Sequence, residues 1–192
     1  MTTSNKVQYG LSNVYYAVAT EGTGGALTYA TPVAIPGAVS MAFSANESEN
    51  PFYADNVIYF NHRGNNGYTG TLEIAKVPDS FRKNVLGEIE DTYGVIFEKA
   101  GQPTVEFALL FQFEGDQHAK RHVLYNCTCN RPSVSGSTKE ESIEPQTETV
   151  TITATTIYHP EYDKDIVKAS VTPTQSTEYN AWNSAVYVVT ST

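Results

Sequence analysis

Basic residues are scarce in this sequence: 12 Lys and Arg stand against 21 Asp and Glu in 192 residues, a formal charge of −9. Gripping duplex nucleic acid depends on cations that displace counterions from phosphate, so this balance argues against a DNA-gripping surface. The adjacent pairs Arg82–Lys83 and Lys120–Arg121 read as solvated surface features. Long apolar runs are missing too, since no window approaches the roughly 20 residues that span a bilayer. The opening MTTSNKVQYGLSN has no charged start followed by an apolar core, so it does not read as a secretory signal, and folding in a cytoplasm is expected. Cysteine is limited to Cys127 and Cys129. Two apart on a predicted strand, they point the same way at a spacing that strains disulfide geometry, so reduced, buried thiols are expected.

Signatures of catalysis are equally thin. His118, His122, Cys127 and Cys129 fall within twelve residues, but a Cys-x-Cys on a strand spreads its sulfurs, and His122 lies on the opposite strand face from Cys127. Structural zinc prefers two to four residues between its cysteines, on a turn, and only Thr128 separates these two, so no metal is expected. The nearest approach to a nucleophile elbow, SVSGS at 133–137, sits in a polar turn. Carboxylate pairs such as Glu140–Glu141 and Asp163/Asp165 read as solvated faces of an acidic protein. GTGGA at 22–26 follows a strand but opens no helix, so it makes no phosphate cradle. Neither a cofactor nor enzymatic activity is expected.

Sheet-forming residues are plentiful, with 13 Tyr and 8 Phe among many Thr and Val. The stretch from Lys120 to Ala154 is the clearest: a strand RHVLYNCTC, a long polar turn, then TETVTITA. Side chains alternate with period two, so Val123, Tyr125, Cys127 and Cys129 share one predicted face. Val150, Ile152 and Ala154 share another, backed by a threonine ladder at 147, 149, 151 and 153. Upstream, VYYAVAT (14–20) reads as a first strand, and Pro32 and Pro36 confine two short extended pieces to edges or turns. GVIFEK (94–99) and TVEFALLFQFE (104–114) are further strands. In the latter, Val105, Phe107, Leu109, Phe111 and Phe113 are expected in the core, with Ala108 and Leu110 on the other face.

Residues 46–66 are predicted to form a hairpin arm whose tight turn is Asn66–Gly67. Its Phe52, Tyr53 and Tyr59 either fold back on the core or dock on another molecule. One helix is predicted over about 79–87, capped by Asp79, with Phe81, Val85 and Leu86 as its apolar stripe and Gly87 as its left-handed stop. Glu88, Glu90 and Asp91 beyond it would oppose a longer helix dipole. Such a helix plugs the open end of a sandwich. After Ala154 one more hairpin, a strand at Ile166–Val171 and a late strand at Val186–Val189 are expected. The fold class is mainly β, an antiparallel sandwich or partial barrel. No linker splits 1–192, and the segment 157–192, with Trp182, packs on its own domain or on a neighbour.

Several runs together resemble the major tail proteins of long, non-contractile phage tails. They are NPFYADN (50–56), GYTGTLEIAKVPDSFRKNVLG (67–87), EFALLFQFEGD (106–116), and the order RHVLYNCTC, NRPS, TKEES, EPQTETVTITA. The resemblance covers roughly residues 7 to 156. It implies a virion protein, assembled in the bacterial cytoplasm, whose copies form stacked hexameric rings with strands joined into a continuous barrel. It further implies a tape-measure protein in the bore, terminator and distal tail proteins at the ends, and genomic DNA passing without sequence-specific binding or any membrane. Contacts between copies are expected at Phe52, Tyr53, Asp55, Asn56 and Tyr59 of the arm, at Lys139, Glu140 and Glu141 of the polar turn, and at Trp182. The alternatives are a receptor- or carbohydrate-binding sandwich displaying Trp182 and tyrosines, and a single-ring terminator or head–tail joining protein.

Overall fold

A computed structural model of the chain describes residues 9–22, 27–115, 118–136, 138, 145–159 and 164–189. In chain order the first half holds strands β1 (Leu11–Glu21), β2 (Leu27–Tyr29), β3 (Val33–Ala34), β4 (Ala38–Ala54) and β5 (Val57–Ile74), then helix α1 (Asp79–Asn84). The second half holds β6 (Ile89–Glu90), β7 (Ile96–Phe97), β8 (Phe107–Phe113), β9 (Arg121–Cys129), β10 (Glu148–Thr155), β11 (Ile157–His159), β12 (Lys164–Ile166), β13 (Lys168–Val171) and α2 (Ser176–Ala181). The main sheet runs β2-β1-β8-β9-β10-β5-β4, with β13 beside β9 and β3 beside β1. Every described pairing is antiparallel. The sheet curls until β4 approaches β1, but no ladder joins the two, so the barrel stays open.

Both faces of the sheet are apolar where β8 crosses it. Phe107 and Leu109 enter one cluster with Tyr16, Leu72, Phe81 and Ile152, while Ala108 and Leu110 enter a second with Ala17, Val123, Tyr125 and Trp182. Period-two alternation therefore sends successive residues of β8 into two cores. The expectation that one face carried the core is corrected to this extent: Ala108 and Leu110 are as fully buried as Phe107 and Leu109. The second core exists because the C-terminal segment lies over it.

Strand β9 also departs from its predicted faces. Val123 and Tyr125 belong to the second core, whereas Cys127 and Cys129 belong to the first. Phe107 pairs with Cys127 and Leu109 with Leu124, so β9 takes three steps where β8 takes two. That extra residue is a β-bulge, and it inverts the side-chain phase between Tyr125 and Cys127. The alternation of β10 needs no such correction: Val150, Ile152 and Ala154 are all buried in the first core.

Helix α1 closes one end of the curl, as predicted. Phe81 is fully buried, edge-on to Tyr16 (centroids 5.1 Å) and to Phe107 (5.6 Å), and Asn84 Nδ2 donates to Tyr16 Oη (3.1 Å). The helix stops at Asn84, before the predicted end, and Gly87 turns the chain at φ 74°. Asp79 is not its cap. Pro78 holds that position in extended backbone, and Asp79 lies in the first turn, where a carboxylate suits the dipole. Arg82 ties the helix to the sheet through Glu148 (2.9 Å), whose other oxygen accepts from the Val77 N–H (2.6 Å).

Three predicted strands fail in whole or in part. GVIFEK and the Ile166–Val171 run are mostly irregular or broken: only Ile96–Phe97 is strand in the first, and Val167 splits the second. Val186–Val189 forms no strand, and α2 precedes it where no helix was expected. Trp182 holds the segment down, stacked on Tyr187 (5.8 Å) and donating Nε1–H to His122 O (3.3 Å). Arg121 adds a guanidinium 4.0 Å from the Tyr179 ring centroid.

Candidate assembly interface

Strands β4 and β5 run on past the body as a two-stranded ribbon, the predicted arm. Its tip is Asp55–Asn56, not Asn66–Gly67. Asp55 and Asn56 have φ of 52° and 63°, and Ala54 pairs with Val57 across them. Two consecutive left-handed residues make the tight hairpin whose twist matches that of its strands. Asn66–Gly67 instead marks the root. Ala45 pairs with Tyr68 and Glu47 with Asn65, two steps on β4 against three on β5, so a bulge there bends the ribbon where it leaves the body. Gly67, at φ 124°, lies so close to β10 that a Cβ would sit 2.0 Å from Ala154 O.

Beyond that root the ribbon has no core. Phe52 (61%), Tyr53 (63%), Tyr59 (73%) and Phe60 (60%) are exposed, as are Val57 and Ile58. Phe52 pairs with Phe60 and Tyr53 with Ile58, which leaves Tyr59 as a bulged residue at the tip. An isolated two-stranded ribbon is at best marginally stable in water. Covering these side chains contributes on the order of 1.5–3 kcal/mol each. The arm aromatics thus do not fold back on their own core.

A second, smaller apolar surface lies at the opposite end of β5, beyond α1. In the β6–β7 hairpin Ile89, Val95 and Phe97 are exposed, and Tyr93 at its turn most of all. Asp91 Oδ1 braces that turn by accepting from the N–H groups of Tyr93 (2.8 Å) and Val95 (2.9 Å). Lys83 pairs with Glu90 at 2.6 Å. Of this hairpin the sequence predicts only the second strand, inside GVIFEK, because the two residues of β6 are too few to show alternation.

Trp182, expected among the contact residues, is 2% exposed and part of its own chain's core, because the C-terminal segment wraps the outer face of β8 and β9. It is not available to a neighbour, nor to stack on a sugar. Lys139, Glu140 and Glu141 lie outside the described residues. Among the described residues no group of three His, Cys, Asp or Glu side chains could hold a metal. Burial pushes the Cys129 thiol up to about 12 and the Cys127 thiol upward as well, so both stay protonated and unreactive near neutrality. No described helix is long and apolar enough to cross a membrane.

The open antiparallel sheet thus leaves apolar side chains uncovered on the arm and on the β6–β7 hairpin. A family model described as phage tail tube protein matches residues 2–192. The chain belongs to that family. It is thus a structural phage tail protein and a component of the virion. Among solved structures this tail tube protein is similar to the anti-feeding prophage cap, a tube-terminating cap. The likeness is 14% identity over 90% of this chain and 99% of that one, at a TM-score of 0.47. No curated protein matches it.

Proposed function

We propose that six copies of this tail tube protein close into a ring and that rings stack into the wall of a long, non-contractile tail, whose bore conducts genomic DNA to the host. The observation that carries the reading is the arm, with aromatics uncovered on a ribbon that cannot hold itself. A neighbouring copy supplies the missing layer. Edge strands attract uncontrolled pairing unless they are covered, and a ring that closes on itself uses them. Each lateral contact should bury well over ~1,000 Å², as permanent assemblies do.

The work is mechanical, and the reading assigns the chain no catalytic step. Its partners are itself, a tape-measure protein that fills the bore before DNA, and terminator and distal tail proteins at the ends. Assembly takes place in the bacterial cytoplasm. The charge of −9 fits a wall that lets a polyanion slide, since each phosphate held by a cation would add a salt-dependent anchor. A strongly positive bore in an imaged tube would refute that account.

Deleting residues 50–65 tests the arm. The expected product is a folded monomer with no tubes in negative-stain images. Normal tubes from the deletion would count against the arm, and one ring that never stacks, from the intact chain, would favour a terminator.

A further inference from the structure

The two ends of the curled sheet are finished differently. At one end α1 plugs the interior. At the other, where the arm departs, Met41, Phe43, Tyr68, Phe111, Phe113 and His122 line a cleft of about 270 Å³ that opens toward the main core. Its walls are held in place: Phe111 and His122 stack at 5.2 Å, and Phe113 meets His122 edge-on at 6.0 Å. Lys168 stands at the rim, its Nζ 4.7 Å from the Tyr68 ring centroid.

The far end of β5 carries a knob of matching chemistry. Tyr93 is 90% exposed, on a turn braced by the Asp91 carboxylate, with Glu90 beside it paired to Lys83. We propose that Tyr93 of one copy of this chain seats in the arm-end cleft of the next copy along the tube axis, with the acidic turn facing Lys168. The proposal rests on the tube reading and adds a specific axial contact to it.

Three features support the pairing. Copies stacked with one polarity bring unlike ends together, and a heterologous contact that does not close continues as a filament. Tyrosine suits the cleft, because its ring matches aromatic walls while its hydroxyl finds polar groups such as His122 or Lys168. Lys83 neutralises Glu90, but the Asp91 carboxylate remains at the turn and Lys168 at the rim, which favours this register over like end against like end.

The test compares the intact chain with Tyr93→Ser under assembly conditions, by light scattering and negative-stain microscopy. Tyr93 touches little of its own chain, so the variant should melt with the parent. The expected result is loss of tubes with rings retained. A second chain carrying Tyr93→Cys and Phe113→Cys should yield a ladder of covalent multimers on oxidation, reversed by reductant. Parent-like tubes from Tyr93→Ser, or a cysteine pair that gives only monomer bands, would overturn the knob and leave the tube reading standing. Failure of the intact chain to assemble at any concentration would remove the tube reading and the knob with it.

Discussion

Strands β4 and β5 belong to two different proteins in physical terms. In the body half of β5 Leu72 and Ile74 are fully buried, with β10 on one side and a core beneath, and Met41 and Phe43 of β4 pack partly against that core. In their arm halves Phe52 and Phe60 pair across the same ribbon and remain about 60% exposed. Strand geometry and side-chain type hardly change between the halves; what changes is whether another layer lies over them. The body is stabilised by its own chain. The arm is stabilised only by something else, which divides stability from assembly along a single pair of strands.

The sharpest way to break that division is to remove one aromatic from each side of it. Phe81→Ala empties the plug beneath Tyr16 and Phe107 and should lower the stability of the isolated chain by about 3–5 kcal/mol, read by denaturant unfolding. Phe52→Ser combined with Phe60→Ser should leave that stability within about 0.5 kcal/mol, as exposed positions do, while assembly is lost. Equal destabilisation by the two changes would mean that the arm has a core of its own.

The root of the arm comes next in size. At Gly67 a methyl group would meet the Ala154 carbonyl at a φ of 124°, so Gly67→Ala should destabilise by about 1–3 kcal/mol. Gly101→Ala is the control: its φ is also positive, at 78°, but nothing lies within 4 Å of the added carbon. It should lose less, on the order of the 1–2 kcal/mol of left-handed backbone alone.

This glycine also marks where sequence reading reached its limit. Asn66–Gly67 and Asp55–Asn56 both favour left-handed backbone, and local chemistry does not say which becomes the turn and which the bulge. The choice is made by β10, which pairs with β5 up to Tyr68 and fixes where the ribbon leaves the sheet. The helix plug and the face of β10 were legible because each depends on period or composition within a few residues, whereas the arm aromatics stood out by type but not by whether their own core covers them. The phase inversion at Tyr125 and Cys127 was not, because a bulge is set by the partner strand. Trp182 was misplaced for a related reason. An apolar side chain near a terminus carries no mark of whether its own sheet or a neighbour's will cover it, and here the outer face of β8 does. Of the β6–β7 knob only the second strand is signalled, inside GVIFEK, since the two residues of β6 carry no period.

The smallest expected effect lies at the seam between body strands, at Glu73. Thr147 Oγ1 donates to one of its oxygens and Ser40 Oγ to the other, both at 2.7 Å. These bonds favour the ionised form and hold the carboxyl below its usual value, the Thr147 bond most. A folded value below the unfolded one means that the contribution is present above the ordinary carboxylate range and is lost as the pH falls through the depressed value. Carbon-detected NMR titration should therefore find Glu73 still ionised below the ordinary carboxylate range. Thr147→Val should return it further toward the ordinary value than Ser40→Ala does. A Glu73 midpoint that neither substitution moves would show that the two hydroxyls bind the neutral acid as well as the carboxylate.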